Sequence, residues 1–239
     1  MRGAAEEVKR VTLELGGKSA NIIFDDADIE KAAAGAPGGV FDNAGQDCCA
    51  RSRILVQASV YDSFMEKFEV AVKKFVVGDP SQESSEMGPL ISKIQFDRVS
   101  EFVPAGSPIA FQGSKPSGPG YWFAPTVLTP KDSSDRAYRE EVFGPVVSVL
   151  RFTDEADAIR LANESEYGLS GSIWSRDIGR AVRVSRGVEA GNLSVNSNSS
   201  VRYWTPFGGY KQSGLGRELG PDALDAFTET KNVFFDTQS

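Results

Sequence analysis

Short apolar runs alternate with helical segments through the second half of this sequence. In order, the pattern predicts a strand over residues 146–152, a helix over 154–165, a strand over 169–174, a helix over 178–186 and a strand over 192–196. Strands separated by helices of this length usually pair in parallel, and a parallel sheet needs helices over both faces. We therefore expect an α/β protein with a twisted, mostly parallel sheet that is covered by helices on both faces.

The first half of the chain adds further strands and helices to this pattern. A strongly periodic helix is predicted over residues 61–76, with Phe64, Phe68 and Val72 on one apolar stripe. A helix beginning near Ile29 is expected to be weakened by Pro37. Other predicted helices cover residues 1–10, 93–102 and 222–230, and other predicted strands cover 11–15, 19–24, 53–57, 109–111, 121–128 and 232–236.

Composition excludes several classes of protein. The 239 residues carry a net charge of −7 and no basic run, which argues against nucleic-acid binding. No apolar run approaches the ~20 residues of a membrane span, and the charged N-terminus does not resemble a signal peptide. Reduced cysteines fit a cytoplasmic location.

The two cysteines, Cys48 and Cys49, are adjacent in the sequence. Neighbouring residues are poorly placed for an unstrained disulfide. Because the chain has no histidine, two thiols cannot complete a zinc site made of cysteine and histidine ligands, and no metal is expected. One interpretation is that one of the two cysteines is a free nucleophilic thiol. The other is that both cysteines are small buried apolar residues.

The absence of histidine also limits the choice of general base. It excludes Ser-His-Asp and Cys-His mechanisms, so a base must be a carboxylate, a lysine or a tyrosine. Glu14 is one candidate, because the strand alternation places it on the face opposite Leu13 and Leu15. A solvent-facing glutamate is the alternative.

Four separated motifs together resemble those of the NAD(P)-dependent aldehyde dehydrogenase family. Any one of them alone would be weak, whereas all four occur in order across nearly the whole chain. They are Glu14-Leu15-Gly16-Gly17-Lys18, Gly45-Gln46-Asp47-Cys48, Glu140-Glu141-Val142-Phe143-Gly144-Pro145, and Pro206-Phe207-Gly208-Gly209 with the Ser-Gly-Leu-Gly-Arg-Glu that follows at 213–218.

The resemblance implies roles for the thiol and the carboxylate. Cys48 resembles the family's nucleophile, which forms a thiohemiacetal and then a thioester, and Glu14 resembles the base that activates the hydrolytic water. Cys49 is expected to be a bystander. Glu140 is expected to pair with an arginine.

The same resemblance implies binding residues on two sides of the thiol. On the cofactor side, for NAD or NADP, it points to Glu141 at the nicotinamide ribose and Phe143 at the ring, with Gln95, Leu15 and Gly16 nearby. On the side of the aldehyde substrate, Asn196 and Phe207 would line the tunnel. Arg202 would grip the far carboxylate of a semialdehyde, or would simply be an exposed loop arginine.

The resemblance also divides the chain. Residues 1–17 correspond to the end of the family's cofactor-binding domain, residues 18–213 to its catalytic domain, and residues 214–239 to a tail with an oligomerisation strand. Residues 1–17 are too few for a βαβ dinucleotide site. We therefore expect the chain alone to have negligible dehydrogenase activity.

Two other readings remain open. One is a non-catalytic fragment that forms homo-oligomers through Val233, Phe234 and Phe235. A nitrilase-type Glu-Lys-Cys hydrolase using Lys18 fits less well, and a solvated surface position is expected for that lysine.

Overall fold

The computed structural model describes residues 1–199 and 201–237. Its α-helices are α1 (Arg2–Glu6), α2 (Ile29–Phe41), α3 (Tyr61–Lys74), α4 (Lys93–Ser100), α5 (Arg136–Arg139), α6 (Glu155–Asn163) and α7 (Ile178–Gly187). Its strands are β1 (Leu13–Glu14), β2 (Ala20–Ile23), β3 (Arg53–Gln57), β4 (Ile109–Gln112), β5 (Thr126–Leu128), β6 (Val146–Phe152), β7 (Tyr167–Gly168), β8 (Ser170–Trp174), β9 (Asn192–Val195), β10 (Tyr210–Lys211) and β11 (Gly214–Leu215).

The central sheet has the strand order β4-β5-β6-β3-β2-β8-β9. Every neighbouring pair is parallel except β4 with β5, which is antiparallel at the edge of the sheet. The mostly parallel α/β sheet predicted from the alternating pattern is thus confirmed.

Alternate side chains of the strands enter two separate cores, one on each face of the sheet. In β2, Ile23 belongs to the core that contains residues of α2 and α3. Its neighbour Ile22 belongs to the core that contains residues of α6 and α7. Both isoleucines are fully buried, and burial of such a side chain stabilises the fold by ~1.5–3 kcal/mol. Helices cover both faces, as predicted.

Helix α2 leads into the cysteine loop, which precedes the central strand β3. Asp28 caps its start by accepting a 3.0 Å hydrogen bond from the Lys31 N–H. The expected weakening at Pro37 does not end the helix, which continues to Phe41. Proline removes one main-chain donor, but the buried alanines and Phe41 of α2 pack in the core that also contains residues of α3 and the sheet. A 3-10 turn, Asp42–Gly45, then leads to the cysteines.

The glycine-rich segment after Phe207 lies over the first strand. β11 pairs antiparallel with β1, and β10 pairs antiparallel with β7. A Cβ on Gly214 would lie 2.0 Å from the Leu13 carbonyl oxygen, so this approach requires glycine. The glycine-rich segment therefore lies in close contact with the strand that carries Glu14.

Several predicted boundaries were wrong. The N-terminal helix ends at Glu6, and the strand predicted over 121–128 begins only at Thr126, because Pro125 lacks the N–H that a ladder needs. The helix predicted over 222–230 is a 3-10 helix, Pro221–Phe227.

The terminal strand predicted over 232–236 does not form within the single chain. Residues 228–237 contain no helix or strand, and Val233, Phe234 and Phe235 are exposed. A strand needs a neighbouring strand to satisfy its main-chain groups, and this segment pairs with none in the described part of the chain. Among the described residues, no helix combines the length and apolar character that crossing a membrane requires.

Candidate active site

The loop after β1 lies directly against the cysteine loop. A Cβ on Gly17 would lie 2.3 Å from the carbonyl oxygen of Cys48, so only glycine permits this contact. The Leu15 N–H donates a 3.1 Å hydrogen bond to the Ser213 carbonyl, which fixes the loop on its other side. The loop that follows Glu14 therefore contacts two distant segments, one 31 residues further along the chain at Cys48 and one 198 residues further along at Ser213.

The Glu14 carboxyl is partly buried, and one of its oxygens, Oε1, is fully buried without a hydrogen-bond partner in residues 1–199 and 201–237. Burial raises the pKa of Glu14, and the nearby Glu218 charge raises it further, while Arg217 opposes both effects. A raised pKa is appropriate for a carboxylate that must accept a proton near neutral pH.

The two cysteines have different environments. The Cys49 thiol donates a hydrogen bond to the Cys48 sulfur, and this bond lowers the pKa of Cys48 despite the opposing effects of burial and of the Asp47 and Glu14 charges. The same bond, together with burial, raises the pKa of Cys49. Cys48 is half-buried and Cys49 is buried. Cys48 is thus the thiol with more thiolate character, and Cys49, expected to be a bystander, is its hydrogen-bond donor.

Two neighbours of the cysteines were not assigned from the sequence. Asp47 accepts a 2.9 Å hydrogen bond from the Cys49 N–H. Arg51 is 2% exposed, and its guanidinium donates to the Ser172 hydroxyl at 2.9 Å and to the Cys49 carbonyl. Both residues flank the cysteines in sequence, and that adjacency was the only signal that could have found them.

The predicted cofactor residues adjoin the same loop. Glu141 accepts a 2.8 Å hydrogen bond from the Gly17 N–H, and a Cβ on Gly16 would lie 2.4 Å from its Oε2. Gln95 donates a 2.6 Å hydrogen bond to the carbonyl of Phe143, whose φ is +56°. The amide of Gln95 therefore holds the main chain that presents Phe143.

Leu15, the remaining residue predicted on the cofactor side, is 46% exposed. It lies between Glu14 and Gly16 in the sequence.

The predicted substrate residues Phe207 and Asn196 also lie near the cysteines. Phe207 is buried in a cluster with Cys49 and Leu169, against which Cys48 packs. Asn196 lines a cavity of about 650 Å³ together with Asp47 and Cys49. The side-chain oxygen of Asn196 accepts a 3.1 Å hydrogen bond from the Ser175 N–H, and its side-chain nitrogen donates a 2.9 Å hydrogen bond to the Ser175 carbonyl.

Arg202 is held at the rim of this cavity. Its guanidinium donates to the Ser199 hydroxyl and to the Val201 carbonyl, each at 2.7 Å. Ser199 and Val201 line the cavity, whereas Arg202 itself does not.

Two further sequence predictions can be judged from the structure. The surface position expected for Lys18 was wrong, since it is 1% exposed. Burial and the nearby Arg53 charge lower its pKa to about 7, while Glu141 acts in the opposite direction. The arginine partner expected for Glu140 is confirmed as Arg136, at 3.1 Å.

Comparisons with known proteins agree with this arrangement. A sequence model of the aldehyde dehydrogenase family matches residues 1–233. An aldehyde dehydrogenase of Emericella nidulans is 45% identical over 236 residues, which cover 97% of this chain and 48% of that protein.

Solved structures give the same result. A point mutant of apo betaine aldehyde dehydrogenase from Staphylococcus aureus superposes with a TM-score of 0.93 at 44% identity, covering 100% of this chain and 49% of that one. The same enzyme in complex with NAD+ gives a TM-score of 0.88 at 45% identity, covering 94% and 46%. The chain spans about half the length of the curated relatives it matches. On these grounds the chain belongs to the aldehyde dehydrogenase family.

Proposed function

We propose that this chain carries the reacting groups of an NAD(P)-dependent aldehyde dehydrogenase, which oxidises an aldehyde to a carboxylic acid. The observation that supports the proposal most is the contact of Gly17 with the main chain of Cys48, because it sets the loop that follows Glu14 against the cysteine loop. The Glu14 charge acts on the pKa of Cys48, which supports the same arrangement.

Cys48 is proposed as the nucleophile. Its thiolate attacks the aldehyde carbon, and the carbonyl oxygen becomes the hydroxyl of a thiohemiacetal once it is protonated. Loss of a hydride from this carbon, and of the hydroxyl proton, leaves a thioester on the sulfur. The hydrogen bond from Cys49 favours this role, because it stabilises the thiolate form of Cys48.

Glu14 is proposed as the general base of the second half of the reaction. Its carboxylate takes a proton from a water molecule, whose oxygen attacks the thioester carbon. The carbon–sulfur bond then breaks, releasing the carboxylic acid and restoring the thiolate. Oε1 of Glu14 has no hydrogen-bond partner among the described residues, which supports the role of this carboxylate as the proton acceptor.

NAD or NADP is proposed as the cofactor, and when bound it would accept the hydride. Glu141 fits the nicotinamide ribose, because one of its carboxylate oxygens is anchored by the Gly17 N–H and the group faces the Gly16 loop. Phe143 would line the ring, held by Gln95. The NAD+ complex of the related betaine aldehyde dehydrogenase supports this assignment.

On the substrate side, Asn196 and Phe207 would line the path to Cys48, and Arg202 would bind the far carboxylate of a semialdehyde. The position of its guanidinium beside two cavity-lining residues supports this role for Arg202. In the full-length enzyme, Arg202→Ala is expected to raise KM for semialdehydes more than for simple aldehydes. An equal effect on both would contradict it.

For the 239-residue chain on its own, we propose acylation of Cys48 but negligible dehydrogenase turnover with NAD. Positioning of a cofactor can supply several kcal/mol of rate acceleration, and this chain spans about half the length of its relatives. We also propose that the chain divides after residues 17 and 213, that it is located in the cytoplasm, and that it forms a homo-oligomer through the exposed Phe234 and Phe235.

A non-catalytic oligomerising fragment is the second candidate function. The exposed apolar side chains of Phe234 and Phe235 favour it.

Acylation by 4-nitrophenyl acetate distinguishes the two candidates. Intact-protein mass spectrometry should show one acetyl group on the wild-type chain and on Cys49→Ser, and none on Cys48→Ser. Acetylation of all three at the slow rate of free cysteine would favour the non-catalytic fragment. Reduction of NAD by the purified chain with an aldehyde would contradict its inactivity as a dehydrogenase.

A further inference from the structure

We propose that Asp47, Cys48 and Cys49 form a binding site for a soft divalent metal ion such as Zn²⁺ or Cd²⁺. A carboxylate oxygen of Asp47 and the two cysteine sulfurs all lie within 4.8 Å of one another. The inference does not depend on the proposed function, since metal binding requires neither an aldehyde nor a cofactor.

The spacing of these three atoms suits a tetrahedral ion. Ligands about 2.3 Å from a zinc ion are separated by ~3.8 Å at the corners of a tetrahedron, so the donors need to move together by no more than ~1 Å. The two sulfurs belong to adjacent residues of one turn, so a single ion can contact both without a rearrangement of distant parts of the chain.

Asp47 is already oriented towards the cysteines. Its Oδ1 accepts the Cys49 N–H at 2.9 Å, which fixes the carboxylate beside the thiols. Asp47 and Cys49 also line the 650 Å³ cavity, so an ion can reach them from solvent and a water molecule can occupy its fourth position. Three protein ligands and one water is a common arrangement for accessible zinc.

The absence of histidine excludes only zinc sites made of cysteine and histidine ligands. The structure supplies the Asp47 carboxylate as a third ligand. Two thiolates favour zinc-like ions over Mg²⁺ and Ca²⁺, which prefer all-oxygen sites.

Binding of the metal ion releases protons from the thiols and blocks the Cys48 sulfur. Each thiol that is protonated gives its proton to solvent as its sulfur–metal bond forms, and no electrons are transferred. The sulfur lone pair of Cys48 is then engaged by the ion. The bound metal should therefore protect this sulfur from electrophiles and inhibit any reaction in which it is the nucleophile.

The test titrates the purified 239-residue chain with Cd²⁺, following the ultraviolet charge-transfer band of cadmium–thiolate bonds. The wild-type chain should bind one Cd²⁺, and excess Mg²⁺ should not displace it. Asp47→Asn keeps an acceptor for the Cys49 N–H but loses the anionic ligand, and should bind at least ~10-fold more weakly. Cys49→Ser should lose most of the band. Glu83→Gln, a change at an exposed carboxylate elsewhere, is the matched control and should bind as the wild type does.

Circular dichroism of each variant shows that it is folded before titration. Equal Cd²⁺ affinity in Asp47→Asn and the wild type would overturn the three-ligand site. So would a band that persists in Cys49→Ser. As a second readout, Cd²⁺ should slow alkylation of Cys48 by iodoacetamide in the wild type and have at least ~10-fold less effect in Asp47→Asn.

Discussion

The carboxylate of Glu141 accepts a 2.8 Å hydrogen bond from the main-chain N–H of Gly17, although 124 residues separate them in the chain. Gly17 also lies against the Cys48 carbonyl. One glycine therefore contacts both the candidate cofactor carboxylate and the nucleophile loop. A side chain at this position would disturb both contacts.

Gly17→Ala is accordingly expected to destabilise the chain by ~1–3 kcal/mol, the usual cost of forcing an atom into a packed interior. Its Cβ would meet the Cys48 carbonyl oxygen at 2.3 Å, and this main-chain atom cannot rotate away. Urea denaturation measures the change, and the alkylation rate of Cys48 should fall with it.

Gly38→Ala is the matched control. Gly38 lies inside α2, and a Cβ there meets no atom within 4 Å. Because alanine has the higher helix propensity, this change should stabilise the chain by ~0.5–1 kcal/mol. Similar losses of stability in both variants would show that the Gly17 contact is not as tight as the structure indicates.

Loss of the Cys49 hydrogen bond should make Cys48 less reactive near neutral pH. The bond is the largest influence lowering the pKa of Cys48 from its ordinary value of 9.0. In Cys49→Ala, the midpoint of the pH profile for alkylation of Cys48 should therefore move upward, whereas Cys49→Ser retains a donor and should move less. The measurement is made with a chelator present. An unchanged midpoint in Cys49→Ala would mean that another group stabilises the thiolate.

Lys18 should make the stability of the chain depend on pH above neutrality. Its pKa is about 7 in the folded chain and 10.5 for an ordinary lysine, so between these values the unfolded chain binds more protons. The free energy of unfolding should then rise with pH over this window, by up to ~1.4 kcal/mol per pH unit, and below pH 7 the cost of burying the charge is fully present.

Lys18→Met removes this titration. The free energy of unfolding of this variant should not rise between pH 7 and 10. It should exceed that of the wild type by the largest margin below pH 7. Parallel stability curves for the two proteins would show that Lys18 is solvated or paired in the folded chain.

Regular elements and linear motifs were predictable from the sequence because each depends on local patterns. The apolar runs of β3 and β6 and the phenylalanine stripe of α3 indicated their structures directly. The motif containing Cys48 and the motif containing Glu14 were found by resemblance, and the structure places their loops in contact.

What the sequence could not reveal are properties set by distant contacts. The burial of Lys18 follows from packing of the strand and loops around it, and nothing in its neighbours along the chain indicates it. Asn43 and Ala44 adopt left-handed conformations in the turn before the cysteines, which neither residue type requires. The carboxylate of Asp47 beside two thiols likewise appears only when the turn is folded.

The most direct test of the account is the lifetime of the acetyl group on Cys48 in the wild type and in Glu14→Gln. Both chains should be acetylated by 4-nitrophenyl acetate, and intact-protein mass spectrometry follows the loss of the adduct. Because burial and Glu218 raise the pKa of Glu14, deacylation in the wild type should fall with decreasing pH from a point above the ordinary carboxyl value of 4.5. In Glu14→Gln the adduct should persist ~10²–10⁴ times longer, with that pH dependence lost. Equal lifetimes in the two proteins would contradict the claim that this carboxylate and this thiol act on the same carbonyl carbon.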